Sequence, residues 1–136
     1  MIDIEKYLRV PYVDEGRSGA ALDCWGLMLA VRAELGCAPL PSLTGVTRHT
    51  VHAMGHEYQA ISSMLEQCEP EAGAIAAVFK GKAFVHVGVV VEIDGRLGVL
   101  ETNQATGPRW MRVPQFLDTY YKVLFYRDHR DISKPA

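Results

Sequence analysis

Residues 84–102, FVHVGVVVEIDGRLGVLET, decide the fold class of this chain. Two runs rich in Val, Ile and Leu flank Asp94-Gly95, a dipeptide typical of the two-residue turn of a β-hairpin. The runs AIAAVF (residues 74–79), RWMRV (109–113) and KVLFYR (122–127) predict further strands around this hairpin. The second half of the chain therefore predicts an antiparallel β-sheet.

Helical periodicity predicts four helices, most of them in the first half of the chain. Their predicted bounds are residues 2–8, about 24–35, about 50–67 and 114–121. Asp23 is a good N-cap and Gly36 a good C-terminal residue for the second helix, and Pro114 suits the first position of the last. Residues 13–22 are predicted to form a polar loop and residues 128–136 a loose tail. Helices followed by antiparallel strands indicate an α+β fold.

Length and composition narrow the class of protein. The chain has 136 residues, so a single domain over residues 1–136 is expected. A formal net charge of −2 gives no general attraction to nucleic acid or to anionic membranes. No apolar run is long enough to span a bilayer, and the N-terminal segment lacks the basic and apolar regions of a signal peptide. The three cysteines have no framework spacing, which indicates that no disulfide scaffold is present.

Cys24 begins the main predicted helix, in the segment LDCWGLML (residues 22–29). At that position the unpaired N–H groups and the positive end of the helix dipole favour a thiolate over a thiol. Gly26 would let another backbone segment approach this turn closely. A small core residue would also explain a cysteine in an apolar setting. A nucleophilic thiol would need a base as well.

His86 lies inside a strongly predicted strand among branched apolar side chains, so its polar ring needs an explanation. It could be a satisfied core histidine, or it could face Cys24 as the base of a thiol–imidazole pair. A third group should then orient the imidazole. Glu101 and Asn103 are the candidates, because the hairpin brings their strand beside that of His86 and alternation puts both on one face. The sequence leaves the choice between them open.

With these residues in view, the chain resembles the NlpC-type cell-wall cysteine peptidases, which have a compact papain-like fold. The likeness rests on the segments VPYVDEGRSGAALDCWGL (residues 10–27), VHVGVVV (85–91) and VLETNQATG (99–107). It implies Cys24 as the nucleophile, His86 as the base and Glu101 as the third catalytic residue. Tyr12 matches the tyrosine that lines the family's active site.

The chain departs from the family pattern at two of these positions. Trp25 stands where the family usually has a serine, and Glu101 stands where it commonly has His, Asn or Gln. A carboxylate can still hold the imidazole and favour a thiolate–imidazolium pair. In having Trp25 and no recognisable signal peptide, the chain is most similar to family members that are encoded with bacteriophage tail genes.

The resemblance implies hydrolysis of peptidoglycan stem peptides, near the bond between a D-γ-glutamyl residue and a diamino acid. It implies neither a metal nor an organic cofactor, and it makes the backbone N–H of Cys24 and the hydroxyl of Tyr12 the expected oxyanion donors. The residues expected around the substrate are Tyr12, Asp23, Trp25 and Asn103. Trp110 could also line a substrate groove, or it could equally be a hairpin aromatic residue that packs on the sheet. Other phage tail proteins are expected as partners. The protein would be made in the bacterial cytoplasm and would act in the cell wall.

Other functions and sites have weaker support from the sequence. A phage-tail assembly component with the same fold and little activity is the main alternative, and Trp25 and Glu101 could both support it. His52 and His56 are four residues apart on a predicted helix, but the zinc motif HExxH is absent, so a solvated helix flank is the simpler interpretation. Arg109 and Arg112 could meet substrate carboxylates, although such side chains are more often solvated.

Overall fold

The computed structural model describes residues 2–18, 20–43 and 53–129. The helices of these ranges are α1 (Ile4–Leu8), α2 (Cys24–Glu34), α3 (Ala53–Met64) and α4 (Val113–Thr119). Their strands are β1 (Arg17–Ser18), β2 (Ala21–Leu22), β3 (Leu65–Cys68), β4 (Ile75–Lys80), β5 (Ala83–Ile93), β6 (Arg96–Asn103), β7 (Gly107–Arg112) and β8 (Lys122–Asp128).

A six-stranded antiparallel sheet forms the centre of the fold, in the order β3-β8-β4-β5-β6-β7. Helix α2 packs against β5 and β6, and α4 packs against β6 and β7. Strands β1 and β2 form a separate two-stranded ribbon beside α2. The structure thus confirms the α+β class and the antiparallel sheet that the sequence predicts.

Side chains alternate along β5 and divide the interior into two hydrophobic clusters. Val87 and Val89 belong to the larger cluster, which contains the buried face of α2. Val90 belongs to the smaller cluster, together with Phe116 of α4. His86 shares the parity of Val90, so its side chain lies on the α4 side of the sheet. Each fully buried Val or Phe side chain stabilises the fold by roughly 1.5–3 kcal/mol.

The β5–β6 hairpin turns where the sequence predicts it. Asp94 and Gly95 both have positive φ, 54° and 76°, as a type I′ turn requires. Ile93 pairs directly with Arg96 across this two-residue turn. Because the turn fixes the register of β6 against β5, it also fixes which residues of the two strands lie side by side.

Helix α2 has the predicted caps at both of its ends. The Asp23 carboxylate accepts a hydrogen bond from the Gly26 N–H at 2.8 Å, which satisfies one of the N–H groups that lack a helical partner. At the other end Gly36 has a φ of +79°, and its N–H donates to the Ala33 carbonyl at 3.1 Å. These caps make Cys24 the first residue of the helix.

The predicted helix over residues 50–67 is wrong at its end. Helix α3 stops at Met64, and residues 65–68 form β3 instead, with each residue paired to β8. Its helical apolar pattern was outweighed by pairing with an edge of the sheet, a contact that local periodicity does not reveal. Residues 50–52 of the predicted helix, and the side chains of residues 53–57, lie outside the described part of the chain.

Two smaller differences concern loops and ends. The predicted polar loop over residues 13–22 contains the β1–β2 ribbon. Helix α4 begins at Val113, one residue before Pro114, and ends before the two tyrosines that were predicted to close it. Residues 130–136 of the predicted tail lie outside the described residues. No helix in the described ranges has the length and apolar character needed to span a membrane.

Candidate active site

Cys24 occupies the first position of α2 as a half-buried thiol that packs against the larger hydrophobic cluster. The chain in front of it is fixed by backbone contacts. The Leu22 N–H donates to the Pro11 carbonyl at 3.2 Å, and the Val13 N–H donates to the Leu22 carbonyl at 3.4 Å. Tyr12 therefore lies on a segment bridged to Leu22, two residues before the thiol.

The first turn of α2 is in close contact with the loop at Gly16. A Cβ added to Gly26 would lie 2.0 Å from the Gly16 carbonyl oxygen, so no side chain fits there without backbone movement. The Asp23 N–H donates to the same carbonyl at 3.2 Å. The close approach expected from Gly26 is therefore present, and it holds the loop against the start of the helix.

Arg17, which the sequence analysis did not single out, supports this helix start. Its guanidinium donates to the Asp23 carboxylate at 2.5 Å, and the two side chains are only 11% and 8% exposed. The Nε of Arg17 also donates to the Ser42 carbonyl at 2.5 Å. Asp23 is thus both an N-cap and the partner of a shielded cation. Its role in the structure is to hold the turn that carries Cys24, and little of it is open to a substrate.

His86 lies beside a β-bulge in the pairing of β4 with β5. Val78 pairs with His86, but the next residue, Phe79, pairs with Phe84, which leaves Val85 as an extra residue on β5. A bulge kinks its strand and re-aims the neighbouring side chains, and such bulges are common next to functional sites. The bulge therefore helps to set the direction of the imidazole.

His86 and Glu101 are in direct contact across β5 and β6. His86 Nε2 lies 2.7 Å from Glu101 Oε1, and the two side chains are 12% and 0% exposed. A carboxylate in this position fixes the orientation and the tautomer of an imidazole. Because the contact uses Nε2, Nδ1 is the ring nitrogen that could exchange a proton with a thiol.

Glu101 has two further partners in the same cluster. Arg109 Nε donates to Glu101 Oε2 at 2.8 Å, and the Tyr120 hydroxyl donates to Oε1 at 2.6 Å. Burial raises the pKa of Glu101, but the bonds to His86, Tyr120 and Arg109 outweigh it and leave the pKa below its ordinary value. Glu101 is therefore an ionised carboxylate at neutral pH, stabilised by charge and by donated hydrogen bonds.

The structure distinguishes the two candidates for the third position. Glu101 reaches the imidazole, whereas Asn103 bonds to its own turn. Asn103 Oδ1 accepts hydrogen bonds from the N–H groups of Ala105 and Thr106, both at 2.9 Å. Gly107, with a φ of +68°, completes this turn between β6 and β7. Glu101 and Asn103 therefore have different neighbours, although alternation along β6 puts both on the same face.

The two tryptophans lie in different surroundings. Trp25 is 0% exposed, and its Nε1 donates to the Pro41 carbonyl at 2.9 Å. It is a core residue that ties α2 to the following loop. Trp110 is half-buried, and the Arg112 guanidinium lies 4.8 Å from its ring centroid. It borders a cavity of about 300 Å³ between α1 and the turn end of β5, whereas His86 lies toward the other end of that strand.

Sequence reasoning missed Arg109 and Tyr120 as members of this cluster. Arg109 was expected either to meet a substrate carboxylate or to be solvated, whereas it pairs with the protein's own Glu101 across β6 and β7. An opposite charge on the next strand was the available signal, and the register was needed to use it. Tyr120 gave no such signal, because it reaches Glu101 only through the way α4 folds back onto the sheet.

The structure thus brings His86, Glu101, Arg109 and Tyr120 together on the α4 side of the sheet. Cys24 begins α2, which packs on the other side of the sheet against the larger hydrophobic cluster. Within the described ranges, no group of three or more His, Cys, Asp and Glu side chains could hold a metal ion. The side chains of His52 and His56 lie outside those ranges.

Comparison with solved structures shows a likeness in fold. No family model matches the sequence, and no curated protein matches it significantly. The fold is similar to the crystal structure of a lipoprotein-like protein of the NLP/P60 family from Staphylococcus aureus, with a TM-score of 0.55. The identity is 17% and the match covers 94% of this chain. This chain spans only 39% of the length of that protein. The likeness therefore establishes an NLP/P60-like fold.

Proposed function

We propose that this protein is a cysteine hydrolase of cell-wall peptides. In this proposal Cys24 is the nucleophile, His86 is the general base and Glu101 orients His86. The observation that carries it is the shielded 2.7 Å contact between His86 and Glu101, because a histidine base needs a fixed acceptor to orient its ring. The NLP/P60-like fold supports the same class of function.

The proposed reaction is acyl transfer to the thiol and then to water. The Cys24 thiolate attacks the amide carbonyl carbon, and the His86 imidazolium gives its proton to the leaving amine as the C–N bond breaks. A water molecule then loses a proton to His86 and attacks the thioester, which releases the carboxylic acid and restores the thiolate. Glu101 stays ionised throughout and stabilises the imidazolium form of each half-reaction.

The helix start and Tyr12 are proposed to stabilise the tetrahedral oxyanion. The first N–H groups of α2 point out of its N-terminus, and that of Cys24 is the natural donor to an oxygen on the attacked carbon. Tyr12 lies on the adjacent bridged segment, and its hydroxyl donates to the Asp14 carboxylate at 2.8 Å. We propose that this hydroxyl is the second donor, and that it turns from Asp14 to the substrate.

The substrate that we propose is a peptidoglycan stem peptide, cleaved between D-γ-glutamate and the diamino acid. The resemblance of residues 10–27, 85–91 and 99–107 to the NlpC-type peptidases supports this choice. Trp25 at the position after the thiol supports an association with a phage tail. In that setting the protein would be made in a bacterial cytoplasm and would reach the wall with the tail particle, in contact with other tail proteins.

A tail component with the same fold and little activity is the second candidate. The observation that favours it is the full engagement of Glu101 by three side chains, which a purely structural buried network would also show. The two candidates differ in the state of Cys24. A nucleophile paired with His86 is a thiolate at neutral pH, whereas an idle thiol titrates near its ordinary pKa of about 8.5.

The test is the rate of Cys24 alkylation as a function of pH, in a Cys37→Ser, Cys68→Ser background. These two thiols are suitable to remove because burial raises the pKa of each, so neither contributes much reactivity at neutral pH. Fast labelling that persists well below pH 8 and slows in His86→Gln is the expected result. Labelling that follows an ordinary thiol titration, unchanged by His86→Gln, would exclude the nucleophile.

The substrate is tested separately with the tripeptide L-Ala-γ-D-Glu-diaminopimelate. Mass spectrometry should detect release of the diamino acid by the parent and none by Cys24→Ala. Cys68→Ser is the matched control, since it also removes a half-buried thiol but from the edge strand β3. If Cys24 is reactive but this peptide is not cleaved, the proposed scissile bond is excluded and the protein is still a cysteine hydrolase.

A further inference from the structure

Position 101 carries an acid where the resembled family commonly has a side chain without negative charge, and the structure surrounds that acid with donors. Oε2 accepts from Arg109, while Oε1 accepts from Tyr120 and faces His86. We propose that Arg109 and Tyr120 are positioning residues, which hold the Glu101 carboxylate still and offset its charge, so that it orients His86 without locking a proton on the imidazole. This inference rests on the proposed function, because it concerns the same His86.

Arg109 contacts the Glu101 carboxylate at the oxygen that does not face His86. The β6–β7 register sets it directly opposite Glu101, and its Nε reaches the carboxylate oxygen that does not bond the imidazole. The Glu101 side chain is 0% exposed, whereas that of Arg109 is 38% exposed. The cation is therefore partly solvated while the anion is not, an arrangement that keeps the ion pair formed without burying both charges.

Tyr120 competes with His86 for the same carboxylate oxygen. Its ring packs on Phe116 of α4 with a centroid distance of 4.8 Å and lies 5.5 Å from the imidazole centroid. Burial and the adjacent Glu101 carboxylate raise the pKa of Tyr120, so it remains a neutral donor. The hydrogen bond from this phenol stabilises the carboxylate charge, so the carboxylate attracts the imidazole proton less strongly.

The electrostatic environment of Glu101 is simple. The titratable or charged groups that face it in the described residues are His86 from β5, Arg109 from β7 and Tyr120 from the segment after α4. The remaining contribution of α4 is the apolar ring of Phe116. With Arg109 present, the guanidinium offsets part of the carboxylate charge. Without it, the imidazole would face an uncompensated carboxylate and keep its proton to higher pH.

The experiment is an NMR titration of the histidine ring protons in the full chain, with His86→Gln used to assign the His86 signals. In Arg109→Gln, the midpoint of the His86 titration should move up by about one pH unit or more. Tyr120→Phe keeps the ring packing and removes only the donor, so the midpoint should move up by less. Arg109→Lys keeps the charge and should stay near the parent.

Arg112→Gln is the matched control, because it removes the same charge from the same strand while its side chain bonds the carbonyl groups of Ile93 and Arg96 instead. It should leave the His86 midpoint unchanged. In a Glu101→Gln background, Arg109→Gln should cause a clearly smaller shift than in the parent, since Arg109 acts through Glu101.

Unchanged midpoints in Arg109→Gln and Tyr120→Phe would overturn the positioning role. An equal shift in the parent and in the Glu101→Gln background would also overturn it, because Arg109 would then act on His86 directly. The ring titration needs neither substrate nor thiol. Shifted midpoints together with a Cys24 whose labelling ignores His86 would therefore overturn the proposed function and support the positioning of Glu101.

Discussion

His86 Nε2 and Glu101 Oε1 lie 2.7 Å apart in a setting from which solvent is almost excluded. Two local features produce this contact. The hairpin turn at Asp94-Gly95 sets the register of the two strands, and the bulge at Val85 sets the direction of the imidazole. His86 by itself would not make the buried Glu101 carboxylate stable, because burying a charge with too few hydrogen-bond donors has a high free-energy cost. Arg109 and Tyr120 supply the missing donors.

Replacing Glu101 by Gln should lower both stability and thiol reactivity. The amide oxygen can still accept from His86, but the ion pair with Arg109 is lost, and we expect a loss of roughly 1–3 kcal/mol in the free energy of unfolding. Denaturant unfolding measures this. Cys24 alkylation should fall off at higher pH than in the parent, because the imidazolium is less stabilised. The exposed Glu92 on β5 provides the control, Glu92→Gln, which should change neither property. Lower stability with unaltered alkylation would indicate a purely structural network.

Stability should decline in acid through Glu101 and Asp128. Burial raises the pKa of both carboxyl groups, but hydrogen bonds and nearby cations leave each pKa below its ordinary value. The folded protein then binds fewer protons than the unfolded chain, so the stabilisation is present above about pH 5 and is lost as the pH falls through the lowered values. Thermal unfolding at a series of pH values should show this slope, and Glu101→Gln should flatten it. A slope identical in the variant and the parent would contradict the assignment.

Gly26→Ala should destabilise the protein although alanine is the better helix former. Helix propensity alone predicts a gain of about 1 kcal/mol. The added Cβ would instead lie 2.0 Å from the backbone carbonyl oxygen of Gly16, and overpacking of this kind typically costs about 1–3 kcal/mol. The sign of the change in a urea titration decides between the two effects. Slower labelling of Cys24 should accompany it, because the loop must move away from the helix start.

Asp23→Asn and Asp23→Ala should separate the two tasks of that carboxylate. Asn can still cap α2 but cannot pair with Arg17, whereas Ala can do neither. A lost cap costs about 1 kcal/mol, so Ala should be less stable than Asn by about that amount. Both variants should be less stable than the parent, since they leave a shielded Arg17 without its anion. Equal stability of Asn and parent would mean that the ion pair contributes nothing.

Arg32 offers a prediction away from the site. Its buried guanidinium donates to the Gly73 carbonyl at 2.9 Å, to the Ala38 carbonyl at 3.0 Å and to Asp128 at 2.5 Å. Arg32→Met should destabilise the protein by roughly 3 kcal/mol, because the Gly73 and Ala38 carbonyl groups lose a charged donor and the partly exposed Asp128 loses its cation. The pH dependence of Cys24 alkylation should be unchanged, since none of these contacts reaches His86. A shifted alkylation profile would show that α2 transmits the change to the thiol.

The sequence by itself determined the features that depend on neighbouring residues. Asp23 and Gly36 mark the ends of α2 because capping involves residues only a few positions away. Asp94-Gly95 marks the hairpin because both residues tolerate positive φ. The same local signals put Cys24 at a helix start and His86 on a strand beside that of Glu101.

Only the tertiary structure decided the features that depend on residues far apart in the chain. Residues 65–68 form a strand because β8 pairs with them. Trp25 can lie in the core because its ring N–H donates to the Pro41 carbonyl. The selection of Glu101 over Asn103, and the recruitment of Arg109 and Tyr120, follow from register and from the return of α4 to the sheet. Such contacts join groups whose pairing energy exists only once the sheet has closed, so local patterns in the chain carry no record of them.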